Sequence, residues 1–158
     1  MAIFKVIHAQ GKYHDLSSFR DLPECVTQSN KTTQELVLGG ALFPEIAAES
    51  MQSLCAAYQK TDGVKLRHSV LSFSPEENIS VSQAKGIARQ ALEYYEEEYQ
   101  IMAAVHTDKD HLHIHLLMNT TNYRTGKKYP GNRADYFAFR DHLNKILRPH
   151  HLAVKLEN

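Results

Sequence analysis

Residues 106 to 119 constrain the fold more than any other part of the chain, because they hold four of its ten histidines and because polar and apolar side chains alternate from His111 to Leu116. Successive side chains of a β-strand point to opposite faces of its sheet. In a strand over this segment, one face carries His111, His113, His115 and Asn119. The other face carries Leu112, Ile114, Leu116 and Met118. The pattern predicts a strand with one face in the core and a row of imidazoles on the other.

A second strand is expected just before this one. Residues 100–106 are rich in strand formers, and the Thr-Asp-Lys-Asp sequence that follows is typical of a turn, so the two segments predict an antiparallel hairpin. A four-residue loop would place His106 opposite His111, whereas a loop two residues longer would place it opposite His113. The spacing alone leaves the third imidazole of a cluster open between His106 and His111.

Such a cluster suits a metal ion. Imidazoles at positions i and i+2 of one strand, with a third from the neighbouring strand, can converge on one cation and leave positions for water or substrate. Asp108 and Asp110 could orient an imidazole or join the coordination shell. The alternative is a set of histidines on a half-exposed strand without a ligand, but the strict period of two disfavours it.

Composition indicates a globular chain. Its 158 residues, 42% of them hydrophobic and 23% charged, suit one domain with one sizeable core. Cys25 and Cys55 are the two cysteines, and we identify no signal peptide and no long apolar run, so we expect a soluble, cytoplasmic protein with no membrane segment and no disulfide framework. Cys55 is expected in the core, at helical spacing.

The charge is balanced over the whole chain but is uneven along it. Residues 1–119 contain 10 Lys and Arg against 15 Asp and Glu, whereas residues 120–158 contain 8 against 3. Within the second part, residues 123–133 combine basic, aromatic and turn-forming side chains, a mixture that suits phosphate contacts with base stacking. A solvated loop is the alternative for this segment.

The remaining pattern predicts an α+β fold. Strands are expected over residues 2–8, 65–73 and 151–156, in addition to the hairpin. Helices are expected over 18–26, from Pro44, after the Ser80-x-x-Gln83 capping box, and over 134–147. Residues 27–42 are expected to form a long loop. We therefore predict a mostly antiparallel five-stranded sheet with helices packed on one face.

The histidine motif resembles a known one. Read from His106 to Asn119, it is His-x-Asp-x-x-His-x-His-x-His-x-x-x-Asn, similar to the metal motif of plasmid mobilisation relaxases, the MOBP-like relaxase/mobilisation nuclease family of the HUH endonuclease superfamily. The resemblance implies that His106, His113 and His115 bind a divalent cation, with Asp108 and His111 in supporting places. It points to Mn²⁺ or Mg²⁺, although imidazole ligands by themselves favour Zn²⁺ or Ni²⁺.

The resemblance covers nearly the whole chain, so residues 1–158 are expected to form a single relaxase domain, either complete or the N-terminal part of a longer protein. It implies nicking of one strand at an origin of transfer in conjugative mobilisation of a plasmid or integrative element. The expected partners are single-stranded or hairpin DNA and accessory mobilisation proteins. Residues expected to contact DNA are Arg67, His68, Lys127, Lys128, Tyr129 and Arg133.

The chain differs from the family at the position of the nucleophilic tyrosine. Its segment, of the type Tyr-Ile-x-Asn-Pro-x-Lys-Thr, matches residues 25–32 here and has Cys25 at the tyrosine position. Three interpretations follow: Tyr13 substitutes for it, Cys25 or a histidine such as His14 acts, or the protein binds DNA without efficient nicking. The candidate catalytic residues are thus Cys25, Tyr13 and Asp108.

Two other functions use the same residues. A metal-dependent hydrolase of small substrates would use the three histidines to activate a water molecule. A replication initiator of the same superfamily would have its tyrosine in the helix after the metal motif, where Tyr136 is the candidate.

Overall fold

The computed structural model describes residues 1–8, 12–60 and 62–157. Its strands are β1 (Ala2–Ile7), β2 (Val37–Gly40), β3 (Leu66–Ser72), β4 (Ile101–His106), β5 (His113–Asn119) and β6 (Val154–Glu157). Its α-helices are α1 (Ser18–Val26), α2 (Ala47–Ala57), α3 (Val81–Glu93) and α4 (Arg133–Leu147). Short 3₁₀ turns cover Gln34–Leu36, Pro44–Ile46, Pro75–Glu77 and Arg148–His150.

The strands form one sheet in the order β2-β4-β5-β3-β1-β6. Every neighbouring pair is antiparallel except β1 and β6. The predicted α+β class and mostly antiparallel sheet are therefore confirmed, but the sheet has six strands where five were expected. The additional strand, β2, lies in the segment predicted as a loop. Its four residues are too short for a recognisable alternation, and they are held by pairing with β4.

The helices lie on both faces of the sheet, so the prediction of helices on one face is wrong. Helices α3 and α4 cover the face that carries Ile114 and Leu116, together with the residues of β1, β3 and β4 that point the same way. Helices α1 and α2 cover part of the opposite face, against Met102, Ala104 and Leu117. That face is thus polar at the histidines and apolar further along the same strands, and the apolar part needs its own cover.

Helix α1 matters for the site because of where it ends. Its apolar residues Phe19, Leu22 and Val26 recur at spacings of three and four, which turns one side of the helix towards the sheet. Pro23 is tolerated within these nine residues. The last turn, with Cys25 and Val26, is thereby brought to the face that carries the histidines.

Helix α3 begins as the sequence predicts, whereas α2 begins at Ala47, after a 3₁₀ turn that opens with Pro44, and α4 begins at Arg133. Ser80 and Gln83 form a reciprocal capping box at the start of α3, and the side chain of Asn132 caps α4 by accepting a hydrogen bond from the backbone N–H of Asp135. Cys55, on the inner side of α2, is buried in the core, as predicted. No helix in the described part of the chain is long and apolar enough to cross a membrane.

Candidate functional site

The register of β4 and β5 resolves which histidines are neighbours. His106 is paired with His113, and His115 lies between Ala104 on β4 and Val70 on β3. The connection between the strands spans residues 107–112, the longer of the two loops considered. His106, rather than His111, therefore shares the sheet face at the centre of the cluster.

His68 belongs to the same face from the other side of β5. Its Nε2 lies 2.8 Å from Nδ1 of His115, and its Nδ1 lies 3.0 Å from Oη of Tyr13. Tyr13, His68 and His115 thus form a continuous hydrogen-bonded chain. The resemblance implied a DNA contact for His68, and the structure places this residue in contact with a predicted metal ligand.

The end of α1 is attached to the histidine cluster. Nε2 of His106 lies 2.7 Å from the backbone oxygen of Val26. Because a carbonyl oxygen only accepts, this nitrogen carries the proton and Nδ1 keeps its lone pair. A second bond, from the backbone N–H of Thr107 to the oxygen of Lys31, joins the segment after α1 to the loop after β4 at 2.8 Å.

Burial keeps the imidazoles neutral. It lowers the pKa of His115 to about 2 and that of His68 to about 4, and the neighbouring charges act in the same direction. The pKa values of His106 and His113 are also lowered, chiefly by burial. Neutral imidazole is the form that binds a cation, so the protonation state suits metal ligation at neutral pH.

The histidine side chains are of the kind that bind a divalent cation, but their nitrogens do not point towards a single position. Within residues 1–8, 12–60 and 62–157, no group of three His, Cys, Asp or Glu side chains is arranged to hold one ion. The rings of His106 and His115 stack with their centroids 4.0 Å apart, and that of His113 lies 6.3 Å from His115. Ring rotation would be needed to direct a nitrogen from each towards one point.

The two residues expected to support the metal site lie in the connection between β4 and β5. Asp108 is exposed in the loop, and its charge acts to raise the pKa of both His106 and His113, against the larger effect of burial. His111 is half-buried, with its ring centroid 4.4 Å from that of His113.

Cys25 is half-buried at the end of α1. Its Sγ lies 3.8 Å from Nζ of Lys31. Lys31 was not singled out from the sequence, yet its charge contributes to the low pKa of His106 and His115. Its position in the segment that resembles the family's tyrosine motif is the signal that could have identified it. Burial raises the pKa of Tyr13, and the nearby Cys25 adds to this effect.

The residues predicted to contact DNA differ in their exposure to solvent and in their hydrogen bonds within the fold. Lys127 and Arg133 are exposed. The ammonium group of Lys128 instead donates to the backbone oxygen of Val64 at 2.8 Å and to Oγ1 of Thr120 at 2.7 Å. Burial lowers the pKa of Lys128, and nearby Lys65 adds to the effect. Lys128 therefore supports the fold, whereas its neighbour is available to solvent.

Arg67 and Tyr129 form part of an aromatic network on the opposite face of the sheet. The guanidinium of Arg67 lies 5.1 Å from the ring centroid of Tyr129 and 5.8 Å from that of Tyr95. The hydroxyls of Tyr94, Tyr95 and Tyr129 all donate to the carboxylate of Asp135. Their pKa values are raised, first by burial and further by this carboxylate. Asp135 thus organises a cluster that the sequence did not reveal.

A cavity of about 760 Å³ opens where β1 ends and β3 begins. Its lining joins the two faces of the sheet, and it includes Tyr13 and His14 on one side with Arg67, Tyr129, Arg133 and Tyr136 on the other. The histidine cluster and the basic, aromatic residues are therefore connected through Tyr13 rather than forming one surface.

The family model described as the MobA/VirD2-like relaxase nuclease domain matches residues 24–152. The chain belongs to this relaxase family. The matched region includes Cys25, the three predicted metal ligands and the residues of the aromatic network. Tyr13 lies before it.

Individual relaxases are similar over shorter stretches. Protein rlx of Staphylococcus aureus is 30% identical over 110 residues, which cover 70% of this chain and 35% of that protein. The group II intron-interrupted relaxase LtrB of Lactococcus lactis subsp. cremoris is 39% identical over 72 residues, or 45% of this chain and 13% of LtrB. Another protein rlx of S. aureus is 26% identical over 144 residues, or 90% of this chain and 42% of that protein. The chain thus spans less than half the length of each of these relatives.

Proposed function

We propose that this relaxase domain nicks one DNA strand at an origin of transfer by metal-assisted transesterification, in the mobilisation of a plasmid or integrative element. The observation that carries the proposal is the placement of His106, His113 and His115 on one sheet face, neutral and beside the end of α1, in a chain of the relaxase nuclease family. A cation held there would be Mn²⁺ or Mg²⁺ in use, with Zn²⁺ or Ni²⁺ as possible substitutes in vitro. The protein would act in the cytoplasm with accessory mobilisation proteins.

A divalent cation supplies polarisation of the scissile phosphate and stabilises charge that develops on it. The residues of this chain would position the ligands and add charge near the phosphate. The Val26 carbonyl fixes His106 with its proton on Nε2, so that Nδ1 is the atom available to a cation. Asp108 would place a negative charge near His106 and His113, where its effect on their pKa values opposes that of burial. Lys31 would add positive charge for a phosphate near the end of α1.

DNA would be held by charge and stacking. Lys127 and Arg133 are exposed and would neutralise phosphates, which makes affinity dependent on salt concentration. Tyr129 and Arg67 line the cavity at the sheet end and present an aromatic ring and a guanidinium plane for an unstacked base. Single-stranded or hairpin DNA, whose bases can unstack, is therefore the expected substrate.

The test is cleavage of an end-labelled oligonucleotide that contains the origin of the element encoding this chain. With Mn²⁺ we expect one cleaved product and a protein-linked fragment, and neither with an excess of chelator. A scrambled oligonucleotide of the same composition is the control. Binding without cleavage under any divalent ion would support a DNA-binding relaxase homologue with impaired nicking. A small-substrate hydrolase would show no salt-dependent DNA binding, so a salt-dependent shift of DNA in a gel would exclude that function.

A further inference from the structure

We propose that Tyr13, rather than Cys25, is the nucleophile of this domain. The inference rests on the proposed function and assigns the role to a residue outside the region matched by the family model. It starts from the hydrogen bond between Oη of Tyr13 and Nδ1 of His68, two side chains far apart in sequence. Both side chains are buried, with 4% of Tyr13 and 6% of His68 exposed, so this contact holds the phenol in one orientation.

The chain of hydrogen bonds from Tyr13 to His115 admits two proton orders. In one, Tyr13 donates to His68 and His68 donates to His115, which leaves the proton of His115 on Nε2. In the other, Nδ1 of His115 donates to Nε2 of His68, and Nδ1 of His68 donates to Oη of Tyr13. Only the second order leaves the Nε2 lone pair of His115 free. If His115 ligates through Nε2, Tyr13 Oη accepts a hydrogen bond and its own proton points elsewhere.

That second order is the one a nucleophilic phenol needs. The N–H of His68 stabilises negative charge on Oη as the phenolic proton leaves. His68 stays neutral throughout, because it only keeps the proton that it donates in this bond. It therefore acts as a positioning residue, and the nucleophilic atom is the oxygen of Tyr13.

The surroundings of Tyr13 suit a phosphodiester. Tyr13 lines the cavity at the sheet end, whose wall also contains Arg67 and Arg133. Nζ of Lys12 lies 5.8 Å from the centroid of the Tyr13 ring. A phosphate that enters this cavity would therefore meet cationic side chains in its wall, and Lys12 beside the phenol ring.

Cys25 has a different environment. Its Sγ faces Nζ of Lys31, and among the described residues that line the cavity Tyr13 is present and Cys25 is not. Cys25 nevertheless precedes Val26, whose backbone oxygen is bonded to His106, and Tyr13 is connected through His68 to His115, so both residues lie beside the histidine cluster. The phenol can therefore serve the region of the site that the family position serves, from a different point in the sequence.

The reaction is a transesterification without redox change. An electron pair of Tyr13 Oη forms a bond to the scissile phosphorus while the bond from phosphorus to the 3′ oxygen breaks. The phenolic proton passes to water in the cavity, and the departing 3′ oxygen takes a proton from water. The product is a 5′-phosphotyrosine ester on Tyr13 and a free 3′ hydroxyl on the other DNA fragment.

The sequence offers a direct test by peptide mapping. Trypsin cleaves after Lys12, Arg20 and Lys31, so Tyr13 and Cys25 fall on separate peptides, 13–20 and 21–31. Tyr136 falls on a third peptide, 134–140. The wild-type domain is incubated with the origin oligonucleotide and Mn²⁺, digested with nuclease and trypsin, and analysed by mass spectrometry. We expect the nucleotide mass on peptide 13–20, with fragmentation locating it on Tyr13 rather than His14.

Variants complete the test. Tyr13→Phe should lose adduct and nicking by at least 100-fold while it keeps DNA binding and its melting temperature within a few degrees. Tyr58→Phe also removes one tyrosine hydroxyl, which donates to the backbone oxygen of Tyr123 outside the cavity, and as the matched control it should keep nicking. Cys25→Ala should still form the adduct on peptide 13–20.

An adduct on peptide 21–31 or 134–140, or undiminished nicking by Tyr13→Phe, would overturn the assignment and leave the proposed relaxase function in place. A wild-type domain that binds origin DNA but never nicks it would overturn both. The two failures are therefore distinguishable, since only the second removes cleavage from the wild type.

Discussion

The backbone oxygen of Val26 accepts a hydrogen bond from Nε2 of His106, with 2.7 Å between the two atoms. This bond joins the end of α1 to the last residue of β4, and it sets the tautomer of a predicted metal ligand. It also means that a change in His106 affects two things, the packing of α1 and the donor set on the sheet face.

The metal assignment predicts a graded series of affinities. His106→Ala, His113→Ala and His115→Ala should each weaken Mn²⁺ binding at least tenfold, because a three-ligand site that loses one ligand loses a bond and its geometry. His111→Ala should weaken Mn²⁺ binding less. The ring of His111 lies beside that of His113, but it is His106 that is paired with His113 across the two strands. Isothermal calorimetry at fixed pH measures the series. Abolished binding in His111→Ala with intact binding in His106→Ala would contradict the assignment of the third ligand.

Stability should fall in mild acid. Burial lowers the pKa of His68 to about 4, against an ordinary value of 6.5, so between these pH values the unfolded chain takes up a proton that the folded protein does not. The free energy of unfolding therefore keeps its full value with respect to His68 above pH 6.5, and it decreases as the pH falls from 6.5 towards 4. From pH 7 to pH 5, His68 alone accounts for a loss of about 2 kcal/mol in the free energy of unfolding.

Urea unfolding at pH 7 and pH 5 checks this prediction. His68→Gln keeps a hydrogen-bonding side chain at the position but cannot titrate, so its loss between the two pH values should be smaller by about 2 kcal/mol. His151→Gln, at an exposed position, is the control and should lose as much stability as the wild type. An unchanged pH dependence in His68→Gln would show that His68 titrates normally in the folded protein.

Adjacent lysines should behave differently in DNA binding. Lys127→Ala removes an exposed charge, so the slope of log affinity against log salt concentration should fall by about one, with little change in melting temperature. Lys128→Ala breaks bonds to Val64 and Thr120, so it should lower the free energy of unfolding by about 1 to 3 kcal/mol. Fluorescence anisotropy over a salt series and urea unfolding separate the two effects. The reverse pattern would mean that Lys128 contacts the phosphates.

The Asp135 cluster should be a source of stability. Asp135→Asn replaces a carboxylate that accepts three tyrosine hydroxyls with an amide that has one acceptor atom, so we expect a loss of about 1 to 3 kcal/mol. Asp141→Asn affects an exposed carboxylate next to Arg140 and should change stability by about 0.5 kcal/mol or less. Equal effects of the two substitutions in urea unfolding would contradict the role given to the cluster.

The local elements could be read from the sequence because their causes are local. The alternation of residues 111–119 predicts a strand, and the Ser80 and Gln83 pair predicts the start of α3, since each depends on residues a few positions apart. The position of His106 beside His113 could not be decided in this way. It depends on the register in which β4 and β5 pair, and the observed register, with His106 opposite His113, leaves a six-residue connection.

The sequence by itself determined the α+β class, the strand of alternating histidines and the resemblance to relaxases, because these follow from period and motif. Tertiary structure alone decided the second layer of helices and the edge strand β2, because each is held by contacts with distant segments. It also decided that Tyr13 is hydrogen-bonded to His68, 55 residues away. In the same way it decided that Lys128 donates a hydrogen bond to Val64, whereas Lys127 is exposed to solvent. The sequence gives the chemical nature of each side chain, but the folded chain determines which group becomes its hydrogen-bonding partner.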